Sequence, residues 1–98
     1  MDLSRETQTE IEAATFRRFL AHLDENKDVQ NIDLMILANF CQNCISKWYS
    51  EEAGSRGAAL DNNQAREIIY GMPYTEWKQK FQPEATEEQL SQLNSKGK

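Results

Sequence analysis

The stretch from Val29 to about Ala53 constrains this chain more than any other. Asp28 stands where an N-cap belongs, and Gly54 and Gly57 close the run. At 1.5 Å per residue a single helix over this span is roughly 35 Å long, unusual for so small a chain. Placed at 100° steps, Cys44, Leu37, Trp48, Cys41, Leu34, Ile45 and Ala38 fall on one continuous arc. Asn31, Gln42, Ser46, Asn39, Ser50 and Asn43 fall on the opposite one, with Ile32 and Met35 intruding. The pattern predicts a long central helix that buries the apolar arc and presents the polar one.

The rest of the chain reads as helices around that spine. Thr7 and Glu10 have capping-box spacing ahead of a stripe of Phe16, Phe19, Leu20 and Leu23, which predicts a first helix to about Leu23. Asp61 with Gln64, and Gly71 just past the end, bracket a helix carrying Ile68 and Ile69. Pro73 opens another, with Tyr74, Trp77 and Phe81 on one face, and Thr86 with Gln89 caps a short last one carrying Leu90 and Leu93. Four glycines and two prolines in 98 residues are few for an all-β chain. The expected fold is therefore all-α: four to five helices in one domain over residues 7–83, with tails at 1–6 and 84–98, the latter carrying a short peripheral helix.

Sixteen acidic against eleven basic residues give a net charge of −5, with no dense lysine or arginine cluster. Such a surface is a poor match for a phosphate backbone or an anionic membrane. No stretch reaches the ~18 apolar residues a membrane-spanning helix needs. The polar start MDLSRETQTE resembles neither a signal nor a transit peptide, and two free thiols suit a reducing cytosol. A cytoplasmic protein is expected.

Three stretches carry a resemblance. DVQNIDLM (Asp28–Met35), FCQNC followed by KWY (Phe40–Cys44 and Lys47–Tyr49) and YGMPYTEWK (Tyr70–Lys78) resemble the small bacterial family catalogued as domain of unknown function 1244, over roughly residues 16–82. The resemblance implies a short, all-helical bacterial protein. It brings no catalytic residue with it.

Cys41 and Cys44, the only cysteines, are candidate ligands for zinc or another divalent metal, a candidate redox pair, or core side chains. A closed zinc site wants four ligands, and the lone His22 falls some ~13 Å from Cys41 if the first two helices form a hairpin. Within one long helix Cys41 lies about three turns from the N-terminus, too deep for the helix dipole to activate it. Packing in the core is the plainer expectation. Asp24, Asn26 and Asp28 imitate the start of a calcium loop, but Val29 and Met35 stand where glycine and a bidentate glutamate are needed. No nucleophile–base pair or phosphate-cradling loop is evident, so catalysis is not expected, although a metal-assisted reaction stays open.

Two expectations follow. One is a non-enzymatic interaction or regulatory module that binds a protein partner or itself, with Asn39, Asn43 and Ser46 on one side and Tyr74 and Trp77 on another as partner-binding residues. No cofactor is expected under this reading. The alternatives for the same residues are a solvated polar face and aromatic core packing. The other is a metal-binding or thiol-redox protein centred on Cys41 and Cys44.

Overall fold

The computed structural model describes residues 2–96, the side chain of Lys96 excepted. Among the described residues the chain is all-helical: α1 (Arg5–Glu25), α2 (Asn31–Ala38), α3 (Gln42–Ser55), α4 (Asn62–Tyr70), α5 (Tyr74–Phe81) and α6 (Glu87–Lys96). The all-α class is as expected, with one helix more than the four to five anticipated.

The extra helix comes from a break in the long central one. Asn39 adopts the left-handed conformation (φ 60°, ψ 29°) and ends α2, its N–H bonding to the Met35 carbonyl. Asparagine tolerates this region better than almost any side chain except glycine. Cys41 is then extended (φ −145°, ψ 178°) and becomes the N-cap residue of α3. A buried side chain bridges the break: Asn31 Oδ1 accepts the Gln42 N–H at 3.1 Å. The single helix over 29–53 is thus two helices with different faces toward the core.

Other local signals place their elements as the sequence implies. Asp61 and Gln64 form a reciprocal capping box, at 2.8 and 3.0 Å. Thr86 and Gln89 do the same ahead of α6, at 3.1 and 2.9 Å. Gly71 ends α4 at φ 76°, a conformation that a Cβ would strain. The first helix starts earlier than Thr7, because Ser4 is its cap and accepts the Thr7 N–H at 3.1 Å.

The core is built where α3 packs on α4, with α5 closing one side. Leu34, Cys41, Ile45, Ala65, Ile69, Tyr70 and Trp77 are its buried apolar members. Ser46 and Ala65 are 1% and 0% exposed, small side chains in an interior with no room for larger ones. Tyr70 and Trp77 meet with ring centroids 4.4 Å apart, and Trp77 and Phe81 at 6.0 Å. Helix α6 is not merely peripheral: it lies on α2, where Gln89 Nε2 donates to Asp33 Oδ1 at 2.9 Å. The outermost tail residues 1, 97 and 98 lie outside the described residues.

Helix α1 behaves differently. It spans 21 residues, and none of them is buried. Phe19 reaches the Phe40 ring at a centroid distance of 6.5 Å. The molecule measures 49 × 31 × 27 Å.

Candidate functional site

The break at Asn39–Cys41 redistributes both expected arcs, drawing part of the polar one inward and leaving part of the apolar one outward. Ser46 is buried and donates its hydroxyl to the Gln42 carbonyl at 2.9 Å. Asn43 joins a chain of side-chain hydrogen bonds. Asn31 Nδ2 donates to Tyr70 Oη at 2.9 Å, Tyr70 Oη donates to Asn43 Oδ1 at 2.9 Å, and Asn43 Nδ2 donates to Tyr74 Oη at 3.3 Å. Trp77 is 3% exposed. Asn43, Ser46, Tyr74 and Trp77 therefore serve the packing of α3 against α4 and α5, and of the five expected partner-binding residues only Asn39 is exposed. The physical reason is satisfaction: amides and hydroxyls without charge can be buried when each finds a partner, and Tyr70, Tyr74 and the Gln42 carbonyl supply them.

The opposite arc is split. Leu34, Cys41 and Ile45 go inward, while Leu37 is 79% and Trp48 52% exposed. Beside them runs a groove of about 660 Å3 between α1 and the α2–α3 junction, lined by Phe16, Phe19, Ala38, Asn39, Phe40, Ile45 and Trp48. No ionisable side chain lines it. The apolar lining continues along α3 through Tyr49, where Glu52 marks the first charge. Sequence reasoning missed this surface because it assigned Leu37 and Trp48 to the core; the signal available was Asn39, a residue suited to a left-handed stop in mid-pattern.

The thiols sit at the first turn of α3, with Cys41 Sγ and Cys44 Sγ 3.9 Å apart, both free. The helix terminus that seemed too distant for Cys41 is therefore next to it. Two effects oppose each other there. Burial pushes the Cys41 thiol above its ordinary value, while the Cys44 and Asn43 backbone amides pull it down, and burial is the larger. Cys41 thus stays a protonated thiol at neutral pH. Cys44 is half-buried and borders a small cleft with Asn43, Lys47, Asn62 and Arg66. Among the described residues, no group of three or more His, Cys, Asp and Glu side chains is arranged to hold a metal ion. His22 is exposed, its carbonyl accepting the Asn26 amide at 2.8 Å. In the Asp24–Asp28 turn the Lys27 ammonium lies 2.8 Å from Asp24 Oδ1, so a side-chain cation occupies that carboxylate.

Burial also acts on Tyr70, raising its phenol far above the usual range despite the Asn31 hydrogen bond, which lowers it. The phenol is therefore a fixed neutral donor in the network. A second cavity, about 550 Å3, lies between the N-terminus of α2 and residues 82–89. Gln82 Oε1 is buried without a hydrogen-bond partner at its lining. No helix among the described residues is long and apolar enough to cross a membrane.

No curated protein matches the chain. The family model described as "Protein of unknown function (DUF1244)" matches residues 29–95, beginning after α1 and running through α6, a later start and a later end than the motifs alone mark out. It spans most of the chain, which belongs to this family.

Proposed function

We propose that the chain is a non-enzymatic protein-interaction module whose working surface is the apolar face of Leu37, Trp48 and the adjoining groove. The observation that carries this reading is the exposure of Leu37 and Trp48 beside a groove with no ionisable lining. Contiguous exposed apolar surface marks interaction sites, and tryptophan is enriched among the residues that dominate binding energy. A protein partner in the cytoplasm fits the acidic net charge and the two free thiols better than nucleic acid or membrane does. The test is photo-cross-linking in cells, with a benzophenone side chain at position 37 or, as a control, at the exposed α4 residue Ile68. A discrete adduct from position 37 alone is expected. No adduct from position 37 would sink the reading.

The second reading uses the dithiol. Its supporting observation is the 3.9 Å separation of the two sulfurs at a helix N-terminal turn, close enough to chelate one metal ion jointly. The remaining ligands would come from outside this group of residues. Elemental analysis of protein purified without chelator decides it. Stoichiometric zinc with thiols protected until the metal is stripped supports this reading, and metal-free protein with two titratable thiols removes the metal from it.

A further inference from the structure

We infer that the occupant of the Leu37–Trp48 face is a second copy of this chain, docked about a two-fold axis. This rests on the interaction-module reading and names its partner.

The exposed area is larger than one compact chain needs. The chain exposes 7498 Å2, against ~5,700 Å2 for a compact folded monomer of its 11.3 kDa mass. The excess is about 1,800 Å2. A standard stable interface hides ~800 Å2 on each partner, and obligate homodimers hide more. The radius of gyration agrees, at 15.7 Å against ~12.6 Å for a compact domain of this length. The surplus exceeds the standard share and falls in the range of about 1,000–2,500 Å2 that an obligate homodimer hides on each partner. Its origin is visible in α1, which has 21 residues and none buried. Most helical stability comes from packing an apolar face, so such a helix wants further cover.

The shape of this face is self-complementary. Leu37, the most exposed large apolar side chain, directly precedes Ala38 and Asn39 in the groove wall. A projecting knob beside an apolar hole on one protomer is self-complementary. About a two-fold axis, Leu37 of each copy enters the groove of the other, closing the assembly at two. Trp48, half-exposed in the groove lining, is of the residue type most enriched among binding hot spots.

Charge sets how such an association responds to salt. Each copy carries −5, so two copies repel at long range, and a groove without ionisable lining offers no charge pair to offset that. Association of this kind tightens as salt screens the repulsion. A docking held by charge pairs loosens instead.

Sedimentation equilibrium of the full chain tests the inference. The expected result is a species of twice the chain mass that tightens from about 0.05 to 0.5 M salt. Leu37→Glu should weaken it at least ~100-fold, because a carboxylate would be buried unpaired, while Ile68→Glu leaves it unchanged. Circular dichroism checks that the variants keep their helix content, and Leu37→Lys repeats the test with the opposite charge. A monomer at all concentrations up to about 100 μM overturns the inference, as does a dimer indifferent to both position-37 variants or one that loosens with salt. The cross-link from position 37 separates the two failures. A monomer that still gives an adduct heavier than one chain leaves the interaction module standing with a different partner; a monomer with no adduct removes both.

Discussion

Tyr70 and Cys41 show how burial sets chemistry at the scale of one residue. Tyr70 Oη is both acceptor from Asn31 and donor to Asn43, so Tyr70→Phe leaves two amide groups short of a partner. The expected loss is about 1–3 kcal/mol, measured by urea unfolding. The phenol also gives a pH signature. Its folded-state pKa is raised above the unfolded value of ~10, so its contribution is complete below pH ~10 and is lost as pH rises further, when only the unfolded state gives up the proton. The Cys41 thiol, also raised, adds to the same alkaline loss from around its ordinary 9.0 upward. Tyr70→Phe should flatten the stability decline above pH 10; an unchanged slope would show that Tyr70 titrates normally. Alkylation gives a further check. With Cys41 buried and protonated and Cys44 half-buried beside a cleft, iodoacetamide at pH 7.5 is expected to label Cys44 first, read by peptide mass mapping. Equal rates would contradict the burial of Cys41.

Element boundaries divide what the sequence made legible from what it did not. Reciprocal caps at Asp61–Gln64 and Thr86–Gln89 and the glycine stop at Gly71 could be read directly, because each is fixed by side chains three residues apart or by one backbone requirement. The central stretch was misread because helical periodicity runs smoothly through Asn39 while the backbone does not. Periodicity is blind to a single left-handed residue, and it assumed that amides face water when Tyr70 and Tyr74, some thirty residues away, were there to pair with them. Ser46 and Trp77 thereby became core, Asn43 and Tyr74 half-buried members of the network beside it, and exposed apolar surface appeared on part of the opposite arc. Position 39 tests this account through a sign. In a continuous helix Asn39→Gly is worse than Asn39→Ala by about 1 kcal/mol. At φ 60° the order inverts, with Asn39→Ala costing about 1–2 kcal/mol and Asn39→Gly less. Thermal or urea unfolding of the two variants reads the order; alanine the more stable of the pair would restore the straight helix.

At the scale of the whole molecule, the same break links fold to function. It turns part of the polar arc into the α3–α4–α5 interior, leaves Leu37 and Trp48 outward, and sets them beside the groove that α1 completes. Helix α1 precedes the family match and yet supplies Phe16 and Phe19 to that groove, so the surface combines the family body with a segment outside the matched region. The most direct measurement follows single thiols in a Cys41→Ala, Cys44→Ala background, placed by Leu37→Cys or by Ser46→Cys, with labelling rates recorded across chain concentration. The thiol at position 46 is expected to be protected at every dilution. The thiol at position 37 is expected to label rapidly at nanomolar chain and more slowly as copies associate. A reactive thiol at position 46 with a protected one at position 37, even at the lowest concentration, would contradict the redistribution of the two arcs and the binding surface built on it.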